Sequence, residues 1–252
     1  MSQKPIHIYY HVCLINDGFL IASEQMHLLA MSGLMYNASS INIGIKYDGK
    51  SIIDYKDSFL KLMGNYNVLN NINVLYCKDN TADKEREHST SIHFKNYADS
   101  LPDDVQRYIL YFHTKGVSHY KTHRENPVRH WRQYLEYFMI QNWRDCCSII
   151  DKGYESCGTY KRDMKCMNDN QGVINVENEK RYFYPGTFYW MNTSLIKRIP
   201  KKYFTSNSEY KNYAIESLPG IVEHKQTVFS QPNPFDLDFY NCVLNPMQYI
   251  KK

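Results

Sequence analysis

The sequence predicts an α/β domain built around a parallel sheet. Three features carry that prediction. Short apolar runs recur along the first half of the chain, each is followed by a segment with helical spacing, and each run ends in a polar or glycine-containing turn.

Ile6 to Val12 alternates and is rich in aromatic residues, as a strand should be. The turn Asn16-Asp17-Gly18 follows, and Ser23 is placed to cap a helix with Glu24 in its first turn and Met26, Leu29, Ala30 and Leu34 on one face. Ile41 to Lys46 is a second strand, Tyr55 to Met63 a helix, and Ile72 to Cys77 a third strand. A polar run leads to a helix carrying Ile92, Tyr97 and Leu101, and Tyr108 to Phe112 is the fourth strand. Strands and helices alternating in this way make a parallel, Rossmann-like half-domain, which binds ligands outside the carboxyl ends of its strands. Asn126 caps the longest helix, with Pro127 in its first position and apolar residues at 128, 131, 135, 138, 139, 143, 146 and 150; Gly153 ends it. Strand-like 153–160, a polar loop, an aromatic segment over 181–190, a short helix from Ser194 to Ile199 and another over Tyr210 to Leu218 complete the second half. The proline-containing tail is expected to be extended and packed on the body. No repeat or linker divides the 252 residues, so one domain is expected, with two functional halves, 1–120 and 121–252.

Composition narrows the function. A net charge of +4 is too mild for nucleic acid, and the basic residues form no dense patch interleaved with aromatics, but the charge suits small anionic ligands. No apolar run approaches the length of a membrane span, and the N-terminus lacks the apolar core of a signal peptide. Seven cysteines, an odd number with no C-x-x-C pair, point to a reduced, cytoplasmic protein.

The fourth strand stops abruptly at His113-Thr114-Lys115-Gly116. These residues make either an ordinary polar turn or a phosphate site: Lys supplies charge, Thr a hydroxyl, Gly a close backbone approach, and His a hydrogen bond. No Walker-A and no G-x-G-x-x-G pattern occurs. His113, His119, His123 and His130 form a run in which 119 and 123 have i, i+4 spacing, but the segment reads as a surface loop without H-E-x-x-H, and Asp236-Leu237-Asp238 has the D-x-D form used on diphosphates but lies in the tail. The aromatic segment 182–200, with its Pro185-Gly186 turn, fits either a core strand or a sugar-stacking surface.

Together, "YYHVCL" (9–14), Glu87 to Thr90, "YILYFHTKGVS" (108–118), "HWRQYLEYFMIQNWRDC" (130–146), "YFYPGTFYWMNTSLIKRIP" (182–200) and "YAIE" (213–216) resemble a family of GT-A-type glycosyltransferases from bacterial polysaccharide clusters and large DNA viruses. The resemblance spans about residues 6 to 220. It implies a nucleotide-sugar donor, UDP-linked by preference, and a glycan or glycoprotein acceptor. The location it implies is the cytoplasm, that of the host for a virus. Donor contacts fall on Tyr10, His11, Val12, Glu87, Thr90, His113, Thr114, Lys115 and Gly116, and acceptor contacts on Trp131, Tyr184, Gly186 and Trp190. Glu216 is the implied base of an inverting transfer, with Glu209 second. Enzymes of this fold hold Mn²⁺ or Mg²⁺ on a D-x-D after the fourth strand. Here His113-Thr114-Lys115 stands at that position, and Lys115 is a physical substitute for the metal. The rival expectation is a protein of the same fold that binds a nucleotide sugar or carbohydrate without turnover.

Overall fold

A computed structural model describes residues 4–47, 52–66, 71–79, 87–159, 161–163, 182–205, 214–223, 225–229, 239–241, 243 and 246–250. In the first half, β1 (Ile6–Leu14), α1 (Gly18–Met31), the single turn α2 (Leu34–Asn37), β2 (Ala38–Tyr47), α3 (Ile52–Gly64), β3 (Ile72–Asp79), α4 (His88–Ser100) and β4 (Tyr108–His113) follow in order. The second half holds α5 (Glu125–Glu136), a π-helical segment (Tyr137–Gln141), α6 (Trp143–Asp151), β5 (Ser156–Thr159), β6 (Arg162–Asp163), β7 (Tyr182–Phe183), β8 (Tyr189–Asn192), α7 (Thr193–Arg198), α8 (Ala214–Ser217) and β9 (Gln226–Phe229).

Seven strands form one sheet in the order β3-β2-β1-β4-β8-β5-β9, and β6 pairs with β7 apart from it. The four strands of the first half are parallel. β8 then enters antiparallel to both β4 and β5, and β5 runs parallel to β9.

The alternation of side chains across a strand divides the core in two. Ile6, Ile8, Tyr10 and Val12 of β1 and Tyr108, Leu110 and Phe112 of β4 pack against α1, α3, α5 and α6 through Ala22, Met26, Leu29, Phe59, Leu135 and Cys146. Tyr9, Ile109 and Tyr111 face the other way, onto Phe94 and Ala98 of α4 and Leu195 and Ile196 of α7. Thus α1 and α4 lie on opposite faces, and the sheet changes its winding between β1 and β4. A crevice opens at the carboxyl ends of strands at such a point. The register pairs His11 of β1 with His113 of β4, so both histidines arrive together at that end.

Several expectations about local structure are corrected. Ser23 does not cap α1. The helix begins five residues earlier at Gly18, and the Ser23 hydroxyl donates to the Phe19 carbonyl one turn back, at 2.8 Å. Asn126 is not a cap either, because α5 starts at Glu125 and the Asn126 side chain instead accepts from Arg129 (2.6 Å). The single long helix is really two. Both the backbone N–H and the side-chain amide of Asn142 donate to the Tyr137 carbonyl, at 3.1 and 2.8 Å, a five-residue closure that widens the helix and restarts it at Trp143. The aromatic segment 181–190 holds the expected Pro185-Gly186 turn, which lies between β7 and β8. Of the helix expected over Tyr210 to Leu218, Ala214–Ser217 is described; Glu209, Cys166, Cys242 and the Asp236-Leu237-Asp238 motif lie outside the described residues. No helix among the described residues is long and apolar enough to cross a membrane.

Candidate functional site

The end of β4 is fixed to the end of β1 by Thr114. Its backbone N–H donates to the His11 carbonyl (3.1 Å), and its hydroxyl accepts from the Cys13 N–H (2.9 Å). Thr114 is 2 % exposed, so it serves as an internal clamp. Gln25 of α1 braces the same point, donating to the His113 carbonyl (3.1 Å) and to Glu136 (2.8 Å) while accepting from the Tyr10 hydroxyl (2.6 Å). Gly116 then turns the chain with φ +111°, a conformation open to glycine.

From this clamp a continuous polar chain crosses the crevice. Glu87, at the cap of α4, meets His113 Nδ1 at 2.9 Å. His113 Nε2 reaches the Gly186 carbonyl at 3.2 Å, and the Gly186 N–H donates to Glu216 Oε1 at 2.9 Å. Glu87 and the Gly186 carbonyl are both acceptors, so the imidazole satisfies both only with a proton on each nitrogen. Gly186, at φ +94°, therefore links the histidine to the second carboxylate through one peptide unit.

The two acids are tuned in opposite directions. Burial pushes Glu87 up, but the charge and hydrogen bond of His113, with the charges of His11 and Lys115, outweigh it and hold the carboxyl near 2. Burial is the largest influence on Glu216 and leaves it raised above the ordinary range, although Lys115, the Gly186 N–H and His113 oppose the shift. Glu87 therefore stabilises the fold above the carboxyl's unfolded value near 4.5, and this contribution is lost as pH falls toward about 2. Urea midpoints measured between pH 5 and 2.5 should fall with acidification, and less steeply in Glu87→Gln. Equal slopes would show that the pair has no such role.

Lys115 follows the clamp with 9 % exposure, its ammonium 3.6 Å from the centre of the Trp131 ring. Among the described residues Nζ makes no hydrogen bond, and burial lowers its pKa against the opposing pull of Glu216 and Glu87. Trp131 is itself closed in by Phe239, stacked at 4.8 Å and 11°, and by Tyr240 edge-on at 5.4 Å.

The other expected contact residues divide into two groups. His11 and Thr90 meet at 3.0 Å, with the Tyr76 hydroxyl 2.5 Å from Thr90 and 3.1 Å from His11, forming a polar cluster beside Glu87. Tyr10 and Val12 are core residues, Tyr10 stacked on Phe112 at 4.2 Å. On the acceptor side Tyr184 and Trp190 are fully buried, the latter donating to the Met139 carbonyl (2.9 Å), and Trp131 is 3 % exposed. None of the three presents an open face to a sugar. Tyr76, Gln25 and Tyr111, whose hydroxyl lies 3.5 Å from Glu87, complete the cluster without any sequence motif to mark them.

The position where a D-x-D is expected carries no carboxylate, only His113, Thr114 and Lys115. The nearest candidate ligands for a divalent ion, Glu87 and His113, are bonded to each other, and the Lys115 ammonium stands beside them. Among the described residues no group of three or more His, Cys, Asp or Glu is arranged to hold a metal. No protein-family model matches the chain, and comparison with curated protein sequences finds no relative.

Proposed function

We propose that the chain is a GT-A-type glycosyltransferase that moves a sugar from a nucleotide-diphosphate donor, UDP-linked by preference, to an acceptor hydroxyl. The observation that carries this reading is Lys115, a largely buried lysine whose ammonium has no hydrogen-bond partner among the described residues, held at the carboxyl end of β4 between the fields of Glu87 and Glu216. A cation in that position can pair with diphosphate oxygens, with the Gly116 backbone close enough to assist. Glu216 takes the proton of the acceptor hydroxyl as that oxygen bonds to the anomeric carbon. The bond from sugar to phosphate breaks, and Lys115 offsets the charge that appears on the leaving nucleoside diphosphate. A raised carboxyl is the stronger base, while the Gly186 N–H keeps it oriented.

Burial of Tyr184 and Trp190 favours one alternative, a nucleotide-sugar-binding protein of the same fold that lacks turnover. Thermal melts with UDP, GDP, dTDP, CMP and UDP-sugars, in Mn²⁺ and in EDTA, test the shared premise. One nucleotide should raise the midpoint, and the shift should persist in EDTA. The absence of any shift would remove the donor site. Slow donor hydrolysis that Glu216→Gln abolishes, with binding kept, would separate the enzyme from the binding protein.

A further inference from the structure

A concave depression of about 140 Å³ lies between the start of α1 and the first half of α5, with Lys115, Gly116 and Tyr120 on its wall. It has room for roughly five waters at ~30 Å³ each, too little for a nucleotide and enough for one pyranose-sized ring. Its charges balance: the carboxylates Asp17, Glu24 and Glu125 face the cations Lys115, Arg129 and Arg132. Arg132 is already paired, with Glu24 at 2.5 Å and Glu136 at 3.4 Å. Such a lining gives no net attraction to an anion, and it offers both acceptors and donors. Hydroxyl groups, which donate and accept at once, match it better than phosphate or ammonium does.

Two further features point to a ligand. Asp17 Oδ1 is buried with no hydrogen-bond partner among the described residues, so a residue that lines the cavity keeps an unsatisfied acceptor at its edge. Tyr120 is 38 % exposed and Leu20 60 %, so apolar surface stands where the C–H face of a sugar would rest. Lys115 borders both this depression and the environment of Glu216, so a sugar held here adjoins the proposed site of transfer.

We propose that this depression binds one neutral sugar ring, the terminal unit of the acceptor. Its place as acceptor rests on the transferase reading; its affinity for a sugar does not. Saturation-transfer NMR on the full chain with millimolar methyl glucoside, galactoside and mannoside tests it, with inorganic phosphate as competitor. At least one glycoside should receive saturation, and Arg129→Ala and Tyr120→Ala, both changes at exposed positions, should each weaken it roughly tenfold or more. The assignment is overturned if no glycoside responds, if neither variant changes the signal, or if phosphate displaces the sugar. The nucleotide-induced shift of the unaltered chain is read separately. A glycoside signal without that shift leaves the sugar site standing and removes the transferase; the shift without a glycoside signal does the reverse.

Discussion

Lys115→Met should melt higher than the parent protein and lose its response to nucleotide. Burial disfavours the ammonium, and only the Trp131 ring and the distant carboxylates compensate. A methionine keeps the apolar stem on the indole and removes the charge. Because burial outweighs the pull of Glu216 and Glu87, the charge is a net cost that methionine removes, while the lost cation–π contact costs about 0.5–2 kcal/mol. A net gain on the order of 1 kcal/mol corresponds to about 2–4 °C for a chain of this size. Because the folded pKa lies below the ordinary lysine value, the parent's deficit is complete below the folded value. It disappears as pH rises through that value toward 10.5. Losing a charge-assisted bond to phosphate should cost donor affinity roughly tenfold to a hundredfold. Calorimetry with and without the active nucleotide measures both effects. A variant that melts lower and still responds would show that Lys115 is structural.

The second large effect is expected from Gly186→Ala. A Cβ there would lie 2.6 Å from Leu135 Cδ1 and 3.2 and 3.3 Å from two atoms of the Trp131 indole, in a backbone with φ +94°. The leucine tip can move, but the indole is held between Lys115 and Phe239. Left-handed strain of about 1–2 kcal/mol adds to overpacking of about 1–3 kcal/mol, which together predict a fall in melting temperature on the order of 5–15 °C. Relaxing that strain shifts the peptide that joins His113 to Glu216, so turnover should fall even at temperatures where the variant is folded. An alanine variant with parental stability would mean that the turn adapts freely.

The parallel half was legible because each of its strands carries a short apolar or alternating pattern, and because helical spacing recurs between the strands. The second half was less so. The interval between apolar residues 128 and 150 is the same whether the helix is continuous or relaxed by the Asn142 closure, so spacing alone conceals the break. Pro185-Gly186 marks the turn inside 182–190, but nothing in the sequence shows that β8 inserts between β4 and β5. Of the candidate site, His113, Lys115 and Glu216 were visible as motif positions. The chain connecting them was not, since it passes through the backbone of Gly186, which periodicity does not reveal. Trp131, Tyr184 and Trp190 were misplaced for a related reason: an aromatic side chain looks the same in a sequence whether it lines a cleft or fills a core.

The position of β8 also bears on how the chain reaches this fold. β4 is the most enclosed part of the sheet, but until Tyr189–Asn192 has been synthesised it is an edge, about 75 residues ahead of its partner. At 5–20 residues per second that interval lasts roughly 4–15 s on the ribosome. During it the Tyr108–Phe112 backbone stands open to pairing with any other extended chain. Yield on expression should therefore depend on what shelters this strand before its neighbour arrives, and slower synthesis at the same chaperone capacity lengthens the exposure.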